Sequence, residues 1–470
     1  MCRIACQTVL WLCILSCRSF GLEEPRLYSG SIQIPTLGDL GMTLGISDTE
    51  EGTYILLTVP TQGAMNIPLE ATFTEDGSMT ASLPQAQLTF VVHENLGQTK
   101  LLGYMEQGLT FPIEFERVNA LPELTRPQNP IGPFPYTQRE VTALHPDGFL
   151  LQGTLTIPDG VGPFPCAVMI SGSGQQDRNE LIMGHKPFLV IADYLSRVGI
   201  AVLRYDDRGV GGSEMEEYDL LRNATSVDFA TDAAVMVHAA RLHSEIDARR
   251  VGVIGHSEGG LIGPMVAVND EKLAFVVMLA GPGVPGNELL PVQQALLLQS
   301  AGVNQEHIDS VVNASMSLYE MMEAGASEDE LREQMTELVD VQLEIEGVEF
   351  SEEVYEEAIE DGLKTMTLPW MKFFLFYDPA PVLGELRCPV LALNGTLDVQ
   401  VSYKQNLPAI EEAMVSSEGE LTVVEFEGLN HLFQPATTGA ISEYGQIEIT
   451  FDPEVLEVMG DWVLEVTDAD

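Results

Sequence analysis

Lysine is nearly missing from this chain. Of 22 basic side chains in 470 residues only six are lysine, and they face 71 acidic ones, for a formal net charge of −49 at pH 7. Nucleic-acid phosphates require lysine and arginine, so nucleic acid is excluded as a partner. Cysteine is also scarce. Four of the six (Cys2, Cys6, Cys13, Cys17) crowd the first 17 residues, leaving Cys166 and Cys388 at the starts of two apolar runs. Buried free thiols are expected there, not a disulfide scaffold. No CxxC or clustered His/Cys spacing suggests a metal site, and no G-K-[ST] ending marks a phosphate loop. What is present is ample core material. Hydrophobic residues make up 45% of the chain, so the acidity is not that of a disordered tail, and the length predicts two or three structural units. Acid-rich, lysine-poor composition is a sign of salt adaptation, because screening eases self-repulsion.

Residues 1–21 read as a signal peptide. Arg3 precedes an apolar run, Ile4 to Cys17, that has the length of a signal-peptide core and is short for a membrane span. Ser19 and Gly21 fit the −3 and −1 positions of an ordinary cleavage site. Ile14-Leu15-Ser16-Cys17 instead resembles a lipobox, which makes Cys17 a candidate lipid anchor. The expectation is export, to the periplasm, the medium or the cell surface; the competing reading is an uncleaved hydrophobic anchor.

Residues 22–120 read as a small all-β domain. Short runs such as GTYILLTVP and LTFPIEFERV are rich in β-branched and aromatic residues, and no long helical period interrupts them. Five prolines between Pro122 and Pro135 mark residues 121–136 as an extended linker. From residue 137 to 470 strands alternate with helices, the pattern of a largely parallel sheet covered on both faces. Residues 284–388 break that alternation with helical composition and no convincing strand, which predicts a helical insertion. Within it, residues 320–361 hold 17 acids and one base, Arg332, and read as a solvated helical face.

The sharpest motif is VGVIGHSEGG followed by LIGPMVAV: an apolar strand, G-x-S-x-G, then a helix. Nucleophilic chemistry needs Ser257 on a tight turn, with Gly255 and Gly259 clearing space around it. The following helix aims its positive end at a developing oxyanion. Serine is a weak nucleophile, so a base and a group to orient it must follow. Asp398 ends the strand-like VLALNGTLDVQV, and His431 lies after the next strand in LTVVEFEGLNHLF, giving the order serine, acid, histidine. Alone, Asp398 reads as a loop cap and His431 as a surface histidine; together, in that order, they read as a triad. His238 and His243 fall on a helix before the nucleophile, His307 in the insertion, and His93 and His145 too early. His256 packs or tunes the site, and His185 is as readily structural as substrate-facing. The oxyanion donors are assigned to the backbone N–H of Glu258 and, in the small-residue loop Ser171–Arg178, to Ser173. The charged loop Arg204–Ser213 reads as a structural network.

In the order RPQNPIGPFPY, SGSGQQDRNE, RYDDRGVGGS, GHSEGG, NGTLDVQV and GLNHLFQ, the sequence resembles bacterial α/β-hydrolase-fold serine carboxylesterases with a β-rich N-terminal domain. The resemblance covers residue 126 to the C-terminus well and the preceding β domain by general character. It implies an α/β-hydrolase fold whose helical insertion caps the site, a Ser257–Asp398–His431 triad, short-chain carboxylic esters as small-molecule substrates, and no cofactor. Gln175 stands where proline is usual, and Thr396-Leu397 where charged residues are common; these departures bear on substrate preference. An acyl-CoA thioesterase would share the triad, but export separates it from cytosolic CoA and an acidic cap repels a polyanion. A propeller-bearing serine peptidase would need far more β sequence. Outside enzymes, the alternative is a surface binding module with a vestigial hydrolase domain.

Overall fold

In a computed structural model of the chain, the described residues are 25–34, 38–49, 52–59, 64–74, 78–83, 88–107, 109–121, 125–213, 215, 218–346 and 352–468. The expected export segment, residues 1–21 with Cys17, lies outside them. Two compact units divide the chain, the first formed chiefly by residues up to Thr125.

The first unit is a closed antiparallel barrel. Its strands are β1 (Arg26–Ile34), β2 (Gly38–Thr49), β3 (Gly52–Val59), β4 (Ala64–Phe73), β5 (Ser78–Leu83), β6 (Leu88–Glu94), β7 (Lys100–Gln107) and β8 (Leu109–Val118). Closure comes from β8 pairing back onto β1, with Leu27 opposite Val118. Alternate side chains point inward, so Leu44 and Ile46, Phe90 and Val92, and Ile113 and Phe115 fill the interior. The expected small β domain is therefore present, and the barrel closure adds what composition alone could not state.

The second unit is the expected α/β domain. Its sheet contains β9 (Tyr136–Leu144), β10 (Leu150–Pro158), β11 (Phe164–Ile170), β12 (Ala201–Tyr205), β13 (Ile246–His256), β14 (Val276–Leu279), β15 (Val390–Gly395) and β16 (Leu421–Phe426). Across the sheet they run β16-β15-β14-β13-β11-β12-β10-β9. From β12 to β16 neighbours are parallel, while β10 pairs antiparallel with β9 and β12. The helices are α1 (Pro187–Arg197), α2 (Tyr218–Arg222), α3 (Ser226–Arg241), α4 (Glu258–Asn269), α5 (Gly286–Ser300), α6 (Gln305–Glu323), α7 (Glu328–Glu346), α8 (Glu352–Thr367), α9 (Pro369–Phe376), α10 (Ala380–Gly384), α11 (Tyr403–Met414), α12 (Ile441–Tyr444) and α13 (Pro453–Asp468).

Both faces of the sheet are covered, which explains its near-continuous apolar strands. On one face Met236 and Val237 of α3, Ile262 and Val266 of α4 and Ile410 of α11 pack on Val251 and Val253. On the other, Ile191 and Leu195 of α1 and Val455, Met459 and Val463 of α13 pack on Val202 and Ile254. The insertion expected over 284–388 is helical, from α5 to α10, and has its own small core of Ile308, Val311, Leu318, Met335, Leu338, Ile359 and Leu363. Residues 126–136, expected as linker, group with the α/β unit. Tyr136 already opens β9, and its hydroxyl donates to Asp193 Oδ1 at 2.8 Å. The polar pattern of β9, buried only at Tyr136 and Val141, hid this edge strand from sequence reading. Cys166 is buried and Cys388 half-buried, both as free thiols.

Candidate active site

Four loops leave the carboxyl ends of the parallel strands β11, β13, β15 and β16, the edge where such sheets bind ligands. Each carries one of the expected residues. After β13 the chain reverses at Ser257, whose backbone sits at φ +53°, a conformation that favours glycine. Such a residue costs roughly 1–3 kcal/mol and persists only where its surroundings over-determine it. Here Ser257 N–H donates to Leu279 O and Gly260 N–H donates to Ser257 O, both at 2.8 Å. A side chain at Gly255 would collide with the Gly259 carbonyl, which is why the turn needs glycine there.

After β15, Asp398 is buried with its carboxylate fully oriented. Oδ1 accepts the N–H groups of Gln400 (2.8 Å) and Val401 (2.9 Å), and Oδ2 accepts His431 Nδ1 at 2.8 Å. His431, on the loop after β16, is 4% exposed rather than a surface histidine. Its loop is held by Asn430 Oδ1, which accepts from Leu432 N (3.0 Å) and Gln434 N (2.9 Å). The structure thus joins Asp398 and His431 directly, across 33 residues.

The loop after β11 reaches the serine closely. A Cβ on Gly172 would come within 3.2 Å of Ser257 Cβ. Gly172 N–H is already taken by Glu180 Oε1 (2.9 Å) and Gln176 N–H by Asp207 Oδ2 (2.9 Å). Among the described residues, this leaves the N–H groups of Ser173, Gly174 and Gln175 without an acceptor. Ser173 is therefore one of three donors available on that loop. Glu258 begins α4, directly after the serine.

The Arg204–Ser213 loop is the structural network expected of it. Asp206 pairs with Arg178 Nη2 (2.8 Å) and accepts Gly212 N–H (2.9 Å). Burial pushes its carboxyl up, but these partners outweigh it and hold it below the usual range. Asp207 accepts Ser171 Oγ at 2.7 Å in addition to Gln176 N–H. Burial dominates there and pushes its carboxyl up to about 8. Arg208 forks onto Asp232 (2.7 and 2.9 Å) between the rings of Phe149 and Phe229.

Sequence reasoning missed four side chains here: Glu258, its partners Ser226 and Trp370, and Glu180. Glu258 was assigned only its backbone N–H, yet its buried carboxylate accepts Ser226 Oγ (2.6 Å) and Trp370 Nε1 (2.8 Å). Burial raises its pKa more than Ser226, Trp370 and Ser173 lower it. The fourth is Glu180, in the DRNE run just beyond the oxyanion loop; an acid beside a glycine-rich loop was its only signal. The remaining histidines are placed elsewhere. His185 Nδ1 shares a hydrogen bond with Thr450 Oγ1 (2.9 Å), and His145 lies 3.2 Å from Asp232. His307 bonds Asn304 on α6, His93 and His238 are exposed, and His243 lies just past α3 rather than on it.

A strained serine between strand and helix, with an Asp–His pair on the loops after the later parallel strands β15 and β16, is the arrangement of an α/β hydrolase. Residues 167–439 match the alpha/beta hydrolase family, and the chain belongs to it. Esterase EstD of Thermotoga maritima is 29% identical over 336 residues, covering 69% of this chain and 65% of that protein, so the match spans just under two thirds of the relative. Among solved structures, Est1E from Butyrivibrio proteoclasticus is 14% identical, with a TM-score of 0.39 over 70% of this chain and all of that one. An esterase of Pyrococcus furiosus is 13% identical, with a TM-score of 0.42 over 74% of this chain and 98% of that one. Among the described residues no group of histidine, cysteine and acid side chains could hold a metal ion.

Proposed function

We propose that this chain is a serine carboxylesterase acting on small esters with short acyl chains. The observation that carries the reading is the 2.8 Å hydrogen bond from His431 Nδ1 to Asp398 Oδ2, on loops beside the strained Ser257. Resemblance to an esterase supports the choice of ester over amide or thioester.

In this reading Ser257 Oγ attacks the ester carbonyl while His431 Nε2 takes its proton. Asp398 holds the imidazole in the tautomer with Nδ1 protonated and stabilises the imidazolium that forms. Negative charge on the tetrahedral oxygen is met by Glu258 N–H and an N–H of the Ser173–Gln175 segment. His431 then protonates the departing alcohol, and water, activated by the same histidine, releases the acid from the acyl-enzyme. Each step uses only groups of this chain and water. The export segment in residues 1–21 adds a proposed location outside the cytoplasm.

Turnover of a short nitrophenyl ester, an acyl-CoA and a peptide amide by wild type and Ser257→Ala tests the reading. Ester hydrolysis that survives Ser257→Ala, or preference for either other substrate, refutes it. A chain that neither turns over an ester nor reacts with a fluorophosphonate at Ser257 is a binding module.

A further inference from the structure

We propose that His256, held by Glu180, is a positioning residue for this hydrolytic site, fixing both the base-bearing loop and the oxyanion loop to the nucleophile turn. The inference rests on the esterase reading and goes beyond it by assigning two residues outside the triad.

His256 immediately precedes Ser257, so its ring is rooted in the nucleophile turn. Its Nε2 donates to the carbonyl of His431 at 3.0 Å, and its Nδ1 shares a hydrogen bond with Glu180 Oε1 at 2.9 Å. That same Glu180 oxygen accepts Gly172 N–H at 2.9 Å. Three hydrogen bonds therefore run without a break from the loop after β11, through Glu180 and His256, to the backbone of His431. The His256 and His431 rings lie 4.8 Å apart, tilted by 43°.

Chemistry constrains the charge of this chain of bonds. A carbonyl and an ionised carboxylate have no proton to give, and a neutral imidazole carries one N–H. With Nε2 donating to the His431 carbonyl, Nδ1 either donates to a Glu180 carboxylate from the imidazolium or accepts from a neutral Glu180 carboxyl, and the bond stands in both forms. Burial alone disfavours that cation, but Glu180 and the His431 carbonyl outweigh it, so its pKa lies above the ordinary histidine value. The pair is walled by Phe188, Ile191, Leu279, Leu432 and Phe451, where its attraction is weakly screened. Glu180 also holds φ +53°, a strained backbone for a non-glycine residue. Neither side chain is assigned to the reacting atoms. Their effect passes through the His431 backbone and the Gly172 end of the oxyanion loop.

The test measures kcat and KM separately for a short nitrophenyl ester, using full-length wild type, His256→Ala, His256→Gln and Glu180→Gln. Melting temperatures and fluorophosphonate labelling of Ser257 accompany them. His256→Gln keeps a donor for the His431 carbonyl. Glu180→Gln keeps Oε1 as acceptor and puts its amide where Oε2 has no partner among the described residues. A misplacement of about 1 Å can cost about a hundredfold. On that scale His256→Ala is expected to lower kcat about a hundredfold and Glu180→Gln about tenfold, with KM within about threefold of wild type. His256→Gln recovers part of the loss. Should His256→Ala fail to fold, the other two variants carry the comparison. An active, labelled wild type with unchanged variants overturns the inference, as does a rise in KM at constant kcat or no recovery in His256→Gln. A wild type that is neither active nor labelled overturns the esterase reading, and the positioning role with it.

Discussion

Trp370 Nε1, on α9 of the helical insertion, donates to Glu258 Oε1, on the residue directly after Ser257, at 2.8 Å. The insertion is therefore bonded to the nucleophile turn itself. Phe374, one turn along α9, stacks with Trp370 and packs on Leu261 and Met265 of α4. Ring stacking and a hydrogen bond thus hold the same contact.

Trp370→Phe separates these two contributions, because it keeps a ring and removes the donor. A hydrogen bond typically contributes about 0.5–1.5 kcal/mol net, and that loss is expected in denaturant unfolding of the α/β unit. Ester turnover should fall with it. An unfolding midpoint equal to wild type would show that packing alone fixes the insertion.

Asp398→Asn leaves the shape of the pocket and reverses the proton demand on His431 Nδ1. The imidazole is then held in the wrong tautomer, and kcat is expected to fall about 10⁴-fold with KM little changed. Steady-state kinetics on a short ester checks this. A drop of less than about tenfold would remove Asp398 from the proposed triad, since disabling the orienting acid in such a triad costs orders of magnitude more.

Arg208 and Asp232 form a buried fork, with side chains 2% and 4% exposed. Removing one partner of such a pair strands the other charge and costs about 3–5 kcal/mol. Arg208→Met should show that loss in chemical denaturation. Arg249→Met, at a side chain 80% exposed, should stay within about 0.5 kcal/mol of wild type.

Asp207 predicts a slope of stability with pH. Folding raises its pKa from the ordinary 3.8 to about 8, chiefly through burial, so the folded chain keeps a proton that the unfolded chain gives up. That contribution is full below about pH 4 and is lost as pH rises through about 8. Melting temperatures across this window should fall for wild type and fall less for Asp207→Asn. Equal slopes would show that other groups set the dependence.

Much of this was legible beforehand because the signals were local. Cys166–Ile170, Ala201–Tyr205 and Leu421–Phe426 are short apolar runs whose only stable home is a covered parallel sheet. Ser257, Asp398 and His431 follow three such runs; the G-x-S-x-G motif picked out Ser257, and chain order after it picked out the other two. The start of α13 is also set by neighbouring residues: Asp452 Oδ1 accepts Glu454 N–H at 2.8 Å, and Pro453 opens the helix. What escaped depends on distance along the chain. Trp370 and Glu258 are 112 residues apart, and His256 and Glu180 are 76 apart. No periodicity encodes those meetings. Strand β9 escaped for a different reason: polar residues from Thr137 to Glu140 conceal an edge strand that solvent wets.

The closure of β8 onto β1 has a consequence for how copies of this chain could meet. A sheet that returns to its own first strand has no free ladder where the two are paired, here Leu27–Ser29 against Glu116–Val118. In the α/β unit, by contrast, β9 and β16 each pair on one side only among the described residues. Strand-to-strand assembly, whether a native dimer or the start of an aggregate, therefore has open edges to start from in the hydrolase sheet.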